Sequence, residues 1–324
     1  MKKSPLQKTM LKKTVLALSM ICLVIITNIS AGCSRSGKKI YIPLVSKGFQ
    51  HQFWQAVKQG AEQAANDFGV EVFFTGPENE SQVDMQIEML QAELKKKPGA
   101  LGLAALDSKS VIPLLQQIRI PVIAFDSGVD SDIPLTTVST NNKAAAALAA
   151  DKMAEAIGGR GTIAVIVHDS TSRTGIERRD GFLEQIAAKY PDIQVIDVQY
   201  GGGNHQRSSE IAKAVINGTP DLRGYYGSNE GSAIGIVNAV NELKIAGRIV
   251  VIGFDSGKLQ LDAIRSGLMY GAVQQNPVGI GYRTVEAAVK AINGESLPTH
   301  IDSGFVWADK NNIDTPEVQA VVYE

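Results

Sequence analysis

Two nearly identical heptapeptides, VIAFDSG at residues 122–128 and VIGFDSG at residues 251–257, decide how this chain is read. Each is a short apolar run that ends in Phe-Asp-Ser-Gly. Runs that are apolar at consecutive positions suit strands covered on both faces, the strand type of parallel sheets. The same strand occurring twice implies two halves built on one plan, each presenting an acidic group, Asp126 or Asp255, at a strand's C-terminal end. In open α/β sheets the ligand crevice lies at those ends, so the two carboxylates are expected to face each other across a cleft. A local reading competes, because Asp-Ser-Gly is good turn chemistry and each Asp could simply cap its turn. The repetition favours function.

The pattern extends outward from these two strands. Apolar, β-rich runs recur at 40–45, 70–74, 100–106, 121–125 and 136–139, and a second set at 162–167, 193–200, 222–226, 249–254 and 269–273. Helical spacing lies between them: Val57, Ala61, Ala64 and Phe68 across 52–68, and Ile176, Leu183, Ile186 and Tyr190 across 175–190. Repeated βα units imply an α/β fold of two doubly wound parallel-sheet lobes, and 324 residues suit two such lobes. Hydrophobic residues at 44% and charged ones at 20% are those of a globular protein. A net charge of −1 gives no broad field to recruit nucleic acid.

The N-terminus has the layout of an export signal. Lys2, Lys3, Lys8, Lys12 and Lys13 precede an uncharged apolar run at 15–26, then come Ser30, Ala31, Gly32 and Cys33. The run is shorter than the roughly 20 residues that span a bilayer. Of the two cysteines, Cys22 lies in the segment to be removed, so cleavage before Cys33 leaves no partner for an intramolecular disulfide. The stretch resembles a bacterial lipoprotein signal, which implies residues 1–32 as signal peptide, Cys33 as the lipidated residue and 33–37 as a tether. Ser30 stands where such signals usually carry Leu or Val.

Several side chains have the chemistry of a polar binding site. Phe53 and Trp54 open the first helix, and aromatic faces suit the C–H patches of a sugar ring. Neighbours on a helix are about 100° apart, so both rings cannot extend the core stripe, and at least one is expected to face the crevice. Arg178 and Arg179 fall in the first turn of their predicted helix, against its dipole; Arg178, off the Ile176–Leu183–Ile186 stripe, can donate paired hydrogen bonds to hydroxyls or a carboxylate. On its own Arg178 reads better as a solvated surface residue. Asn229 offers donors and acceptors together, and it also suits the N-cap of a helix over 232–243. Gln275, before Pro277, is similarly two-sided.

The order of FWQAVKQGAEQAA, PVIAFDSG, ERRDGF, YYGSNEGSAIGI, VIGFDSG and AVQQNPVGIG resembles the ribose-binding-protein-like type I periplasmic binding proteins of ABC sugar importers. The resemblance covers nearly all of 38–324. It implies two lobes joined by a three-strand hinge, one of 38–140 plus 276–303 and the other of 141–275 plus 304–324. It further implies a monomeric, extracytoplasmic protein that takes up a monosaccharide or polyol by hinge closure and passes it to a membrane ABC permease. The ligand-binding positions it implies are Phe53, Trp54, Asp126, Arg178, Asn229, Asp255 and Gln275. Departures bear on which sugar: Lys47, Phe49 and His51 replace an Asn-rich stretch, Ser127 stands where ribose binders have Arg, and Trp54 is bulkier than the usual Phe. His51 and Ser127 are further candidates for ligand contact.

Three other function classes were weighed. An enzyme finds support only in His168-Asp169-Ser170, but three adjacent residues do not form a triad. Neither a Walker sequence nor a dinucleotide glycine fingerprint occurs, and His51, His168, His205 and His300 lack metal-ligand spacing, so neither cofactor nor metal is expected. A sugar-responsive transcription regulator needs a DNA-binding segment where the export signal stands. A sensor subunit passing closure to a histidine kinase or chemoreceptor stays open as the alternative to import.

Overall fold

The computed structural model describes residues 39–323. The expected signal peptide, tether and Cys33, together with Lys38 and Glu324, lie outside the described residues. The strands are β1 (Tyr41–Val45), β2 (Glu71–Thr75), β3 (Leu101–Leu103), β4 (Val122–Phe125), β5 (Thr136–Ser139), β6 (Gly161–Val167), β7 (Ile193–Tyr200), β8 (Leu222–Gly227), β9 (Val250–Phe254), β10 (Gly271–Gln275), β11 (His300–Asp302) and β12 (Phe305–Asp309). Between them lie α1 (Gln52–Phe68), α2 (Val83–Leu94), α3 (Ile112–Leu115), α4 (Asn142–Ile157), α5 (Arg173–Lys189), α6 (His205–Gly218), α7 (Glu230–Glu242), α8 (Lys258–Ser266), α9 (Pro277–Ile292) and α10 (Pro316–Gln319).

These strands form two six-stranded sheets of the same plan, β2-β1-β3-β4-β5-β11 and β7-β6-β8-β9-β10-β12. The first is parallel throughout, and the second is parallel except for β12, which runs against β10. The repeated heptapeptides occupy equivalent places, β4 in one sheet and β9 in the other. Even their exits match: Asp126 N–H donates to Val138 O at 2.9 Å and Asp255 N–H to Val273 O at 2.8 Å, each reaching the next strand of its sheet. β4 is buried throughout and β9 at every residue after Val250, because helices cover both faces.

The chain crosses between the sheets after β5, after β10 and between β11 and β12. Two of these crossings touch, with Thr140 Oγ1 3.2 Å from Ser303 Oγ and Ser303 N–H on Ser139 O at 3.0 Å. After the second crossing α9 returns to pack on α1, and glycine allows their backbones to meet. A Cβ at Gly60 would fall 1.9 Å from Val278 O, and one at Gly281 would fall 1.9 Å from Val57 O. Any side chain there would drive the helices apart.

Some sequence expectations shift by a residue or two. The apolar run at 100–106 forms a strand only at Leu101–Leu103, and residues 104–106 continue, still buried, toward the cleft. β10 extends to Gln275, which is the last strand residue and not the first beyond it. Phe68, expected in the core stripe of α1, is 38% exposed because the helix ends there at Gly69; its ring packs on Tyr282. In α5 the buried stripe is Thr174, Gly175, Arg178, Gly181, Phe182 and Ile186, while Ile176 and Leu183 are only half-buried. Arg178 therefore sits on the inward face, not off it. The helix also begins earlier than expected, capped by Ser172 Oγ accepting from Gly175 N–H. That moves Arg178 to the second turn, beyond the strongest dipole opposition.

Candidate functional site

At the C-terminal ends of both sets of strands the lobes enclose a small cavity. It is lined by Lys47, His51, Phe53, Trp54, Glu80 and Asp126 from the first lobe, His168, Arg178, Asn229 and Asp255 from the second, and Gln275 at a crossing. With the lobes shut onto one another its free volume is about 20 Å³, room for roughly one water molecule, so a ligand enters only as the lobes part. Direct bonds hold the lobes shut around it: Lys47 Nζ donates to Thr174 Oγ1 at 3.0 Å, Gln50 Nε2 to Gly203 O at 3.1 Å, and Lys258 N–H to Gln52 Oε1 at 2.9 Å.

Phe53 and Trp54 both line the cavity, their rings meeting edge-on with centroids 5.0 Å apart. They sit in the first turn of α1, and helical side chains tilt back toward the N-terminus. Two neighbours can therefore both border a space that lies beyond the helix end. Trp54 Nε1 donates to Glu80 Oε1 at 2.9 Å.

The two heptapeptide carboxylates form the poles of the cavity. Asp126 and Asp255 both have left-handed backbone, φ 55° and 78°, a conformation costly for a residue with a Cβ and one that gathers at functional sites. Asp255 accepts from Gln275 Nε2 at 2.6 Å and from Glu230 N–H at 3.0 Å. Asp126 lies 3.6 Å from Lys47 Nζ, which is also 3.9 Å from Glu80 Oε2. The single charge of one ammonium is thus shared between two carboxylates. Burial pushes Asp126 up to about 6, with Lys47 and Arg178 only partly offsetting it. Burial would also raise Glu80, but Lys47 and the nearby imidazoles outweigh it and, with the Trp54 N–H, hold that carboxyl at about 2. For Lys47, burial works to lower the ammonium, and Glu80 and Asp126 win, raising it.

Arg178 is fixed on every side. Its Nε donates to Asn142 Oδ1 at 2.8 Å and its Nη1 to Ser228 O at 3.0 Å, Nη1 stands 3.8 Å from Asp255 Oδ2, and the guanidinium lies 3.8 Å over the Phe254 ring. Asn229 lines the cavity and also caps a helix. Its Oδ1 caps α7 by accepting from Ser232 N–H at 2.9 Å, which leaves the amide Nδ2 as its free donor. Ser127 is fully buried and does not line the cavity; Asp126 turns the chain before it, so its side chain falls on the other side of the strand end.

Three lining residues carried no ligand signal in the sequence. Lys47 registered only as a departure, His168 only within a rejected triad, and Glu80 not at all, because a loop carboxylate has no periodicity. His168 is held by Ser228 Oγ at 3.0 Å and Thr174 Oγ1 at 3.1 Å, and burial takes it down to about 3, so it is a neutral ring. Two acceptors around the cavity, Gln275 Oε1 and Glu80 Oε2, are buried with no hydrogen-bond partner in the protein.

This pairing of matched sheets and polar cleft is that of a binding protein. The family model described as a periplasmic binding protein domain matches residues 42–296, and the chain belongs to that family. Members bind solutes outside the cytoplasm and are not enzymes. The D-ribose/D-allose-binding protein of Pseudomonas aeruginosa is 23% identical over 299 residues, 89% of this chain and 93% of that protein. The ribose import binding protein of Bacillus subtilis is 24% identical over 305 residues, 90% of this chain and 97% of that protein. A carbohydrate transporter solute-binding protein of Agrobacterium radiobacter, solved with D-arabinose, superposes with a TM-score of 0.85 at 30% identity, covering 89% of this chain and 100% of that one. An ABC transporter solute-binding protein of Agrobacterium vitis, solved with D-fucose, gives 0.84 at 30% identity, with 87% and 100% covered.

Proposed function

We propose that this protein captures a monosaccharide or related polyol by hinge closure and delivers it to a membrane ABC importer. The observation that carries it is a cavity with two aromatic rings on one wall, hydrogen-bonding groups from both lobes on the others, and buried acceptors unmatched within the protein. Such acceptors call for hydroxyl donors, since a buried polar atom without a partner costs about 1–3 kcal/mol. Phe53, Trp54, Asp126, Arg178, Asn229, Asp255 and Gln275 are the proposed contacts, with the buried His51 as a further one. Lys47 and Glu80 join them by position. The relatives that take ribose, allose, arabinose and fucose support the ligand class.

The working unit in this proposal is a monomer with lobes of 38–140 plus 276–303 and 141–275 plus 304–324, which turn about the three crossings. Cys33 carries a lipid that holds it at the membrane. A thermal-shift screen of the protein against pentoses, hexoses, deoxysugars and polyols tests the ligand class, because a ligand that binds only the native state raises its melting temperature. Stabilisation by amino acids or nucleosides alone would refute it. Labelling with radioactive palmitate in cells, lost on Cys33→Ala, tests the anchor.

A further inference from the structure

His51 immediately precedes α1 in the first lobe, whereas His205 opens α6 and Glu230 opens α7 in the second. The fold brings one ligating atom from each of the three within 4.8 Å of the others. The imidazole planes are 24° apart with centroids 5.6 Å apart, and His51 Nδ1 stands 3.9 Å from Glu230 Oε1. His51 Nδ1 and His205 Nε2 are both buried without any hydrogen-bond partner. Two orphaned ring nitrogens converging with a carboxylate are a poor way to fill a protein interior and a good way to hold a cation. We propose that His51, His205 and Glu230 form a site for a borderline divalent cation, best matched by Zn²⁺, which ties the two lobes together beside the ligand cavity.

Two imidazoles and one carboxylate are a donor set zinc accepts, with a fourth position left for water. Bonds of about 2.0–2.1 Å at tetrahedral angles put ligand atoms roughly 3.4 Å apart. The observed 3.9 Å between His51 Nδ1 and Glu230 Oε1 is then a small side-chain rotation from coordination. The far side of His51 is also suited. Its Nε2 lies 2.8 Å from the Gln50 amide, and the Gly203 carbonyl is in bonding range of the ring. A proton on Nε2 needs the Gln50 amide turned so that its oxygen faces the ring, and Nδ1 then carries the metal in the usual outer-shell arrangement. Burial favours neutral rings, the ligating form, but it also pushes the Glu230 carboxyl up to about 8, so a metal must displace that proton.

A second feature opposes a cation. His51 caps α1, and His205 and Glu230 are the first residues of α6 and α7, so three helix N-termini point at the site. Each acts as roughly half a positive charge. Three direct ligands outweigh that, and the dipoles set a site of moderate affinity. Because one ligand comes from the first lobe and two from the second, the complete set exists only when the lobes are shut. The metal therefore favours closure, with or without sugar.

The test needs no sugar, so its failure leaves the sugar assignment untouched. Chelator-stripped full-length protein is titrated with ZnCl₂ alone by calorimetry, and small-angle scattering follows its radius of gyration. One zinc per chain with compaction is expected. His205→Gln and Glu230→Gln, neither of which lines the cavity, should weaken zinc by about tenfold or more and abolish the compaction. If Glu230→Gln does not fold, His205→Gln decides, since that ring is partly exposed. No stoichiometric binding, unchanged affinity in His205→Gln, or binding without compaction would each overturn the proposal.

Discussion

Lowering the pH should weaken ligand binding through one carboxyl group, Asp126. Its pKa of about 6 arises from burial and is only partly offset by Lys47 and Arg178. Its ionised form is the stronger acceptor for a hydroxyl, and about nine-tenths of the protein carries it at pH 7 against about one-tenth at pH 5. The dissociation constant should rise by about tenfold between those values, near 1.4 kcal/mol. The protein's own stability should respond in the opposite sense at this residue. A carboxyl raised in the folded state binds its proton more tightly there than in the unfolded chain. Its contribution is therefore fully present below the unfolded value of 3.8 and is lost as pH rises through about 6. Calorimetric titrations of the best sugar from pH 4.5 to 8, on wild type and Asp126→Asn, measure the effect. Wild type should show the break near pH 6, and the Asn variant should bind weakly at every pH without it. A flat wild-type profile, or an unchanged break in Asp126→Asn, would refute the assignment.

Three further outcomes follow from the same geometry. Arg178→Met keeps some of the stacking on Phe254 but strips Asn142, Ser228 and Asp255 of a charged partner, and loss of one side of a buried ion pair should cost about 3–5 kcal/mol in urea denaturation. Gly60→Ala places a methyl 1.9 Å from Val278 O, so the α1–α9 contact must open, at about 1–3 kcal/mol; Gly281→Ala should do the same, and a melting temperature within a degree of wild type would count against the close approach. Glu80, held at about 2 against 4.5, contributes stability that is present above pH 4.5 and lost as pH falls toward 2. Glu80→Gln should remove as much as roughly 3 kcal/mol at neutral pH and flatten that acid limb, as followed by Trp54 fluorescence.

The two heptapeptides were enough to anticipate two matched parallel sheets and the acidic poles at their strand ends. Strands buried on both faces must be apolar at every position, and a turn that exposes a carboxylate at a strand end needs a short polar run after it. Both demands are local, and local demands leave their mark on neighbouring residues. The orientation of Arg178 was not local in this sense. Its helix shows weak apolar spacing, and only packing against α4 and β9 decides that the inward stripe runs through an arginine, whose charge is met by Asn142, Ser228 and Asp255.

Glu80 and the His51–His205–Glu230 cluster lie further still from what a one-dimensional pattern can reveal. Glu80 enters the cavity through a loop bond to Trp54. The two histidines are separated by most of the first lobe and part of the second, so no motif spacing joins them; the closed arrangement of the lobes does. Residue order thus determined the elements, their repetition and the polar character of the cleft, because strand burial, helix spacing and turn chemistry act over a few residues. Tertiary structure alone decided which charges share the cleft and how burial divides their protons, because desolvation and Coulomb interaction depend on distance in space and not along the chain.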